Sequence, residues 1–456
     1  MMQSAQVQTR LRERMAYGLY FFGQGLVFTM VSQHLMYYYT DYALLPSLVV
    51  SVILVAGKIW DAVNDTLFGL IMDKARFKSG RRFLPWLRIS TALIPPATVF
   101  LFVVDAAPGM GWRIFLAVLT YMLWDLAYTM CDAPILALST AMTGNAKERG
   151  TLMTFAGAGG ALSMVLCSIL LVPVFDTAGF FRASVIIAVV SFGTMRLVNC
   201  FCVERHHVQT QVQADSLWDT WRYLRRNRYL LLYYGYRVIS GGIAVSMLTY
   251  MAANCLGDVK YVSIVAICAL PMIACVYAAA PFLLKRFDKI VLYRVCAVLN
   301  IGMNVVTFLV GFEKKGAVVF CMAVIAALAI LPGILMGALP QDCVEYATFK
   351  TGIRKEGITF ALQSFVAKLT SACAAGLTGI LLHVIGYRGE LAVQSAETVQ
   401  GIWRCVFLVP LVGQLLAIGL LFVYDLRDRD VQLMSDANSG RITRQEALDC
   451  MSKAYK

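Results

Sequence analysis

ERHHVQTQVQADSLWDTWRYLRRNR, residues 204–228, is the longest polar stretch inside a chain otherwise dominated by apolar runs. Six runs precede it, at 17–40, 47–73, 86–105, 113–142, 151–174 and 182–203, and six follow, at 229–253, 260–284, 290–312, 317–340, 357–386 and 402–425. Each reaches the roughly 20 apolar residues that a bilayer core of about 30 Å requires of a helix. The expected fold is therefore an all-α membrane protein of twelve transmembrane helices in two six-helix bundles. Its parts are residues 1–203, a cytoplasmic central loop at 204–228, residues 229–426, and a short charged tail at 427–456. Two halves joined by a polar loop suit a transporter that holds its solute between them near the membrane midplane. Within the loop, Trp218, Trp221, Tyr223 and Leu224 have the spacing of an interfacial helix, while His206 and His207 read as solvated.

Composition supports the same class. Of 456 residues, 59% are hydrophobic and 15% charged, against about 25% charged in soluble domains. A soluble enzyme or a disordered chain is thereby excluded. The net charge of +13 would suggest nucleic acid in a soluble protein, but here it sorts by loop: Arg10, Arg12, Arg14, Lys74, Arg81, Arg82, Arg225, Arg226, Lys285, Arg286, Lys350 and Arg354 fall on one side, against only Arg113, Arg182, Lys260, Lys314, Lys315, Arg388 and Arg404 on the other. Lys and Arg accumulate in cytoplasmic loops, so both termini are expected inside the cell membrane and nucleic acid is not an expected partner. The 13 cysteines show neither disulfide nor zinc spacing, and many sit inside apolar runs, where they act as small hydrophobes. The apolar run after Arg14 lacks a small-residue cleavage site and reads as a retained first helix.

Charge inside a span costs about 2.5–3.5 kcal/mol on insertion scales, so intramembrane ionisable residues point to function. The second run contains IWDAVND, with Asp61 and Asp65 four residues apart on one face, Asn64 beside them and Lys58 a turn before. Two carboxylates so placed hold a cation or share a proton; the bland alternative is a Lys58–Asp61 pair with Asp65 near the membrane surface. Oxygen ligands suit sodium or a proton. In the fourth run, Asp125, Thr129 and Asp132 form a second stripe. Thr129 could complete a cation shell, Asp132 could accept solute hydroxyls, and Asp125 could line the pocket or pair with Arg88 or Arg196. Lys368, in the eleventh run, is a counter-charge across the cavity or a snorkelling lysine. Arg237 and Arg294, closer to span ends, read as snorkelling. Tyr37, Tyr38 and Tyr39 read as an interfacial aromatic belt. The runs AGAGGA (156–161) and SGGIA (240–244) read as close-packing surfaces.

Four segments, MYYYTD (36–41), GKIWDAVNDTLFG running into DKARFKSGRRFLPW (57–86), YTMCDAP (128–134) and DCVEYATFKTGIRKEG (342–357) followed by Lys368, occur in the order and spacing of one family. The chain resembles the glycoside-pentoside-hexuronide:cation symporters, a branch of the major facilitator superfamily, over most of its length. The resemblance implies a cation site at Asp61, Asn64, Asp65 and Thr129, and solute contacts at Asp132 and Lys368. It also implies departures. Gln24 and Gly25 stand where the melibiose-transporting branch has a Lys-Asp pair, Leu136 replaces a sugar-stacking Trp, and Gly157 replaces an Arg. Those losses mean that a melibiose-like galactoside is not the expected solute, and Asp125, a further departure, makes the pocket more acidic. The loop with Asp73, Lys74, Gly80, Arg81 and Arg82 matches the superfamily's gating motif, with Asp342, Glu345 and Arg354 as a mirrored set; ordinary positive-inside charge is the alternative.

The expected function is import of a small polar solute, a glycoside, pentoside or hexuronide, coupled to Na+ or H+, by a monomer without cofactor. A non-sugar or amphiphilic solute is one alternative; a membrane receptor or enzyme is another. The enzyme form lacks any phosphate loop, zincin or nucleophile-elbow motif.

Overall fold

A computed structural model describes residues 9–75, 77, 80–143, 146–205, 222–225, 227–352, 356–391 and 393–452. Sixteen helices order the described chain: α1 Leu11–Tyr37, α2 Ser47–Lys74, α3 Leu84–Leu101, α4 Met110–Met142, α5 Ala146–Leu166, α6 Val172–Phe201, α7 Arg228–Gly242, α8 Leu248–Asn254, α9 Tyr261–Arg286, α10 Lys289–Val310, α11 Lys315–Leu328, α12 Ile330–Thr351, α13 Glu356–Val384, α14 Ala396–Val423, α15 Asp428–Asn438 and α16 Arg444–Cys450. No strand occurs among the described residues. With α7 and α8 forming one pass and α11 and α12 another, the helices make twelve crossings, six before residues 204–228 and six after.

Nine helical stretches among the described residues are long and apolar enough to cross a membrane. One of them, Glu148–Phe201, has 54 residues, room for two crossings. They meet at Gly179, whose φ of 83° lies in the left-handed region that glycine adopts without strain. The seventh crossing breaks where the sequence suggested packing: α7 stops at Gly242 and α8 starts at Leu248. The Ser246 N–H freed by the break donates to Thr378 Oγ1 at 2.9 Å, the internal satisfaction that a broken helix requires in lipid.

The chain forms two compact units. The first comprises residues 1–211, 248–263 and 379–399; the second comprises 212–247, 264–378 and 400–456. In the first, α1 packs closely on α5 because both are glycine-lined. A Cβ on Gly159 would meet the Gly18 carbonyl oxygen at 2.1 Å, and one on Gly25 would meet Ser163 Oγ at 2.0 Å. The AGAGGA run thus serves as the packing surface expected of it.

Tyr37, Tyr38 and Tyr39 do not form a lipid-facing belt. All three are buried; Tyr38 donates to Asp105 Oδ1 at 2.6 Å, and Tyr37 meets Tyr250 edge-on at 5.3 Å. Around them, Thr40 and Tyr250 hydroxyls bond at 2.8 Å, Tyr387 donates to Asp41, and Lys260 pairs with Asp176 at 2.9 Å. At the other end of this unit Glu204 receives the N–H groups of Arg82, Phe83 and Leu84 at 2.7–2.9 Å. A carboxylate there satisfies the orphan donors of α3 and complements its dipole.

In the second unit, Arg294 does not snorkel. Its guanidinium donates to the carbonyls of Leu421, Phe422 and Tyr424, closing the C-terminal end of α14. Residues 427–452 fold back as α15 and α16: Asn438 Nδ2 donates to Glu345 Oε2 at 2.9 Å, and the fully buried Asp430 accepts from Ser452. Tyr223 is also turned inward, its hydroxyl 3.1 Å from Thr359 Oγ1. His206, His207, Trp218 and Trp221 lie outside the described residues.

Candidate cation and solute site

The acidic residues of the second and fourth crossings share one region of the first unit, because α2 packs along α4. Gly57 permits the approach: a Cβ there would overlap the Tyr121 ring at 2.0 Å. Immediately after Gly57, Lys58 Nζ stands 3.9 Å from Asp61 Oδ2. This is the internal ion pair that the spacing allowed, at a separation beyond hydrogen-bond length.

The next turn joins the helices directly. Asn64 Nδ2 donates to Thr129 Oγ1 at 3.0 Å, and that hydroxyl donates onward to Asp65 Oδ1 at 3.1 Å. Asn64 and Thr129 are each 4% exposed and Asp61 is 9%, whereas Asp65 is exposed. A hydroxyl that accepts from an amide while donating to a carboxylate fixes three side chains with one rotamer. Asp61, Asn64, Asp65 and Thr129 all carry side-chain oxygens, which suit a hard monovalent cation or a proton; Asn64 here turns its amide nitrogen toward Thr129.

Just under one turn beyond Thr129 on α4, Asp132 accepts from Gln24 Nε2 of α1 at 3.1 Å, and the same amide reaches Cys131 Sγ at 3.4 Å. Gln24 is buried while Asp132 is exposed. In place of a charged pair on α1, this chain thus offers Asp132 a neutral amide, leaving its charge uncompensated by that partner. Asp125 is buried on α4, and Arg196 lies over the Phe192 ring at 5.8 Å.

The remaining expected residues divide. Gly25 faces Ser163 across the α1–α5 contact, so it serves packing there. Leu136 is 47% exposed on α4, and a Cβ on Gly157 would meet nothing within 4 Å. Lys368 lies on α13 in the second unit, half-buried. Of the gating set, Gly80 carries a φ of 69° and Arg81 is exposed, while Arg82 contributes its backbone N–H to Glu204. Asp73 and Lys74 end α2. Asp342 pairs with Lys289 at 2.5 Å, Lys289 reaches Asp428 at 3.4 Å, and Glu345 holds the tail through Asn438. Arg354 lies outside the described residues.

Sequence reasoning missed an aromatic column on α4. Tyr121, Trp124 and Tyr128 stack at 6.3 and 5.0 Å, with Trp124 Nε1 donating to Thr98 at 3.0 Å and Phe28 of α1 lying 5.7 Å from Tyr128. Its i, i+3, i+7 spacing was readable, but the same pattern marks ordinary core packing.

A family model described as MFS/sugar transport protein matches residues 16–428. The chain belongs to that family. It is a transporter of the major facilitator superfamily's sugar-transport type, a multi-pass membrane protein and not an enzyme. Among its relatives are the symporter YjmB of Bacillus subtilis, 27% identical over 93% of this chain and 95% of that protein, and a glucuronide carrier protein homolog of Escherichia coli, 26% identical over 92% and 94%. The isoprimeverose transporter of Lactiplantibacillus pentosus is 26% identical over 93% and 90%. Solved structures share the fold at lower identity. The nucleoside transporter NupG (D323A mutant) superposes with a TM-score of 0.63 at 12% identity, covering 91% of this chain and 99% of that one. The inward-facing bacterial homolog of the lysosomal transporter Spinster gives 0.60 at 13%, covering 91% and 97%.

Proposed function

We propose that this MFS sugar-type transporter is a symporter that couples entry of Na+ or H+ to uptake of a small glycoside, pentoside or hexuronide, with both termini cytoplasmic. The observation that carries the reading is the Asn64–Thr129–Asp65 bridge, which brings the buried Asn64 and Thr129 and the exposed Asp65 carboxylate, from two helices, to one place. A structural pairing alone would not need the hydroxyl between amide and carboxylate. Asp61, Asn64, Asp65 and Thr129 bind the cation; Asp132, oriented by Gln24, accepts hydroxyl hydrogen bonds from the solute, and Lys368 offers a positive partner from the second half.

Coupling follows from linkage. A cation bound beside Asp132 raises solute affinity, and solute raises cation affinity by the same factor. Alternating access is rocking of the two halves, powered by the cation gradient. The solute reading draws on the names of relatives, a glucuronide carrier homolog and an isoprimeverose transporter. Leu136, Gly157 and the Gln24 amide argue against a galactoside, since each removes a charged or aromatic contact from the sugar site. A solute without sugar hydroxyls remains the second reading, favoured by that same loss.

The test is a thermal-shift panel of purified protein with glycosides, pentosides and hexuronides, with and without Na+ and at two pH values. A ligand that binds the native state raises Tm by mass action. The reading expects a sugar or uronide whose stabilisation grows with Na+ or with acid. Stabilisation by non-sugars alone would transfer the site to the second reading.

A further inference from the structure

Residues 248–263 and 379–399 come from the second half of the sequence, yet both belong to the first compact unit. They hold the ends of the seventh and eleventh crossings and the loops that follow, on the membrane face opposite residues 204–228. There they close on residues 37–51 by direct contact. The Thr40 and Tyr250 hydroxyls bond at 2.8 Å, and the Tyr250 ring meets Tyr37 and Tyr387 edge-on at 5.3 and 5.2 Å. Backbones touch as well: a Cβ on Gly389 would meet the Thr40 carbonyl oxygen at 2.1 Å, and one on Gly379 would meet the Ser47 carbonyl oxygen at 2.6 Å.

At the centre of this clasp lies a carboxylate. Tyr387 donates to Asp41 Oδ1, and Thr40 Oγ1 donates to Asp41 Oδ2 at 2.6 Å. Thr40, Tyr250 and Tyr387 are all buried. Two hydroxyls offset only part of what a buried charge loses in water, so Asp41 is pushed up to about 6. Tyr37 and Tyr42 stand beside it on its own segment, Tyr250 on α8 and Tyr387 beyond α13. Charge on the packed elements comes from Asp176 of α6, paired with Lys260; from Arg113 of α4, bonded to the Ala43 carbonyl at 3.1 Å; and from Asp105, which accepts from Tyr38. Thr40 and Tyr387 also line a cavity of about 300 Å³ together with Ser47, His383, Arg388 and Glu390. His383, Arg388 and Glu390 are exposed, so this cavity gives solvent protons a route to the clasp.

We propose that the clasp is a proton-responsive gate on the face opposite the central loop: neutral Asp41 seals it and ionised Asp41 releases it. Sealing takes Asp41 out of water, which disfavours its charged form, and opening returns the carboxylate to water. The sealed form therefore binds the proton more tightly, and by linkage acid favours sealing. That contribution is complete below about pH 4 and is lost as pH rises through about 6. With the carboxyl at 3.8 in the open form and about 6 in the sealed one, sealing weakens about tenfold between pH 5 and pH 8. The gate's place in transport rests on the symport reading above; the proton response of the clasp does not.

The experiment measures amide hydrogen exchange by mass spectrometry on the full chain in nanodiscs, without solute or Na+, at pH 5 and pH 8, corrected for the intrinsic pH dependence of exchange. Protection of residues 36–47 and 383–391 should fall about tenfold from pH 5 to pH 8 while α3 keeps its own. Asp41→Asn, which keeps the shape and stays neutral, should hold equal protection at both pH values. His383→Gln, which removes a second titrating group from the cavity wall, should keep the wild-type slope. Tyr387→Phe should lower protection of both segments by about tenfold or more at pH 8, where its hydroxyl meets a charged acceptor. Wild-type protection that does not change with pH, a wild-type slope in Asp41→Asn, or a lost slope in His383→Gln would overturn the proposal. So would a fall shared equally by α3, which would mark general loosening of the fold. If the slope follows Asp41 but no cation gradient drives uptake, the gate stands and the symport reading fails.

Discussion

Replacing Thr129 by Val keeps the branched shape of the side chain and removes the one hydroxyl that joins α2 to α4. Two bonds are lost: the donation to Asp65 at 3.1 Å and the acceptance from Asn64 at 3.0 Å. A hydrogen bond to a charged group contributes about 1.5–3 kcal/mol, and a buried donor left unmet costs about 1–3 kcal/mol. Part of this falls equally on the cation-free and cation-bound forms. If Thr129 Oγ1 also ligates the cation, about 2 kcal/mol falls on the bound form alone, which weakens cation affinity roughly 30-fold. Thr129→Ser retains the hydroxyl and should stay within about threefold of wild type. The assay is solute uptake by membrane vesicles with the driving cation titrated at fixed solute, reading the half-saturating cation concentration. The solute KM at saturating cation should change little. A half-saturating concentration within about threefold of wild type for Thr129→Val, in protein that folds normally, would refute the role given to this hydroxyl.

Two further outcomes follow from packing and from burial. Gly159→Ala drives a Cβ into the Gly18 backbone carbonyl at 2.1 Å, whereas a Cβ on Gly157 meets open space. The first should lose about 1–3 kcal/mol of stability as an overpacked contact, and Gly157→Ala should be neutral or gain up to about 1 kcal/mol from helix propensity; equal melting temperatures in detergent would contradict the α1–α5 packing described. Asp41, one residue beyond the expected limit of the first span, is pushed up to about 6 by burial, with the Thr40 and Tyr387 hydroxyls partly opposing it. The folded protein then binds the Asp41 proton more tightly than the unfolded chain does, so stability contributed by this group is present below about pH 4 and declines as pH rises to about 6, by up to about 3 kcal/mol. Asp41→Asn should flatten that part of the stability profile between pH 4 and 7, and an unchanged profile would refute the assignment.

The twelve crossings were legible because lipid demands long apolar runs, a signal that needs no tertiary information. That Asp61 and Asp65 share a face was legible for a similar reason: helical periodicity puts i and i+4 on one side, and intramembrane charge draws attention to itself, whereas Thr129, on another helix, was tied to them only by the family resemblance. What joined those residues was not legible. The Gln24–Asp132 bond spans 108 positions and the Tyr387–Asp41 bond 346, and nothing local in either segment encodes the other. The tyrosine triplet at 37–39 carried the same composition whether it faced lipid or protein, and only the partners Asp105 and Tyr250 separate the two. The seventh crossing looked continuous by hydropathy, and its break depends on Thr378, supplied by another helix to satisfy the freed backbone. Glycines near 157–160 could be read as small, but which of them touches a neighbour depends on the rotational setting of α5 against α1.

The central claim is that Asp65, held by Thr129, couples a cation gradient to solute uptake. Proteoliposomes containing Asp65→Asn, loaded and diluted to impose a Na+ or proton gradient, measure this directly when gradient-driven accumulation is compared with equilibrium exchange of the same solute. Accumulation should be abolished while exchange persists. Accumulation at the wild-type level in the Asp65→Asn protein would contradict it.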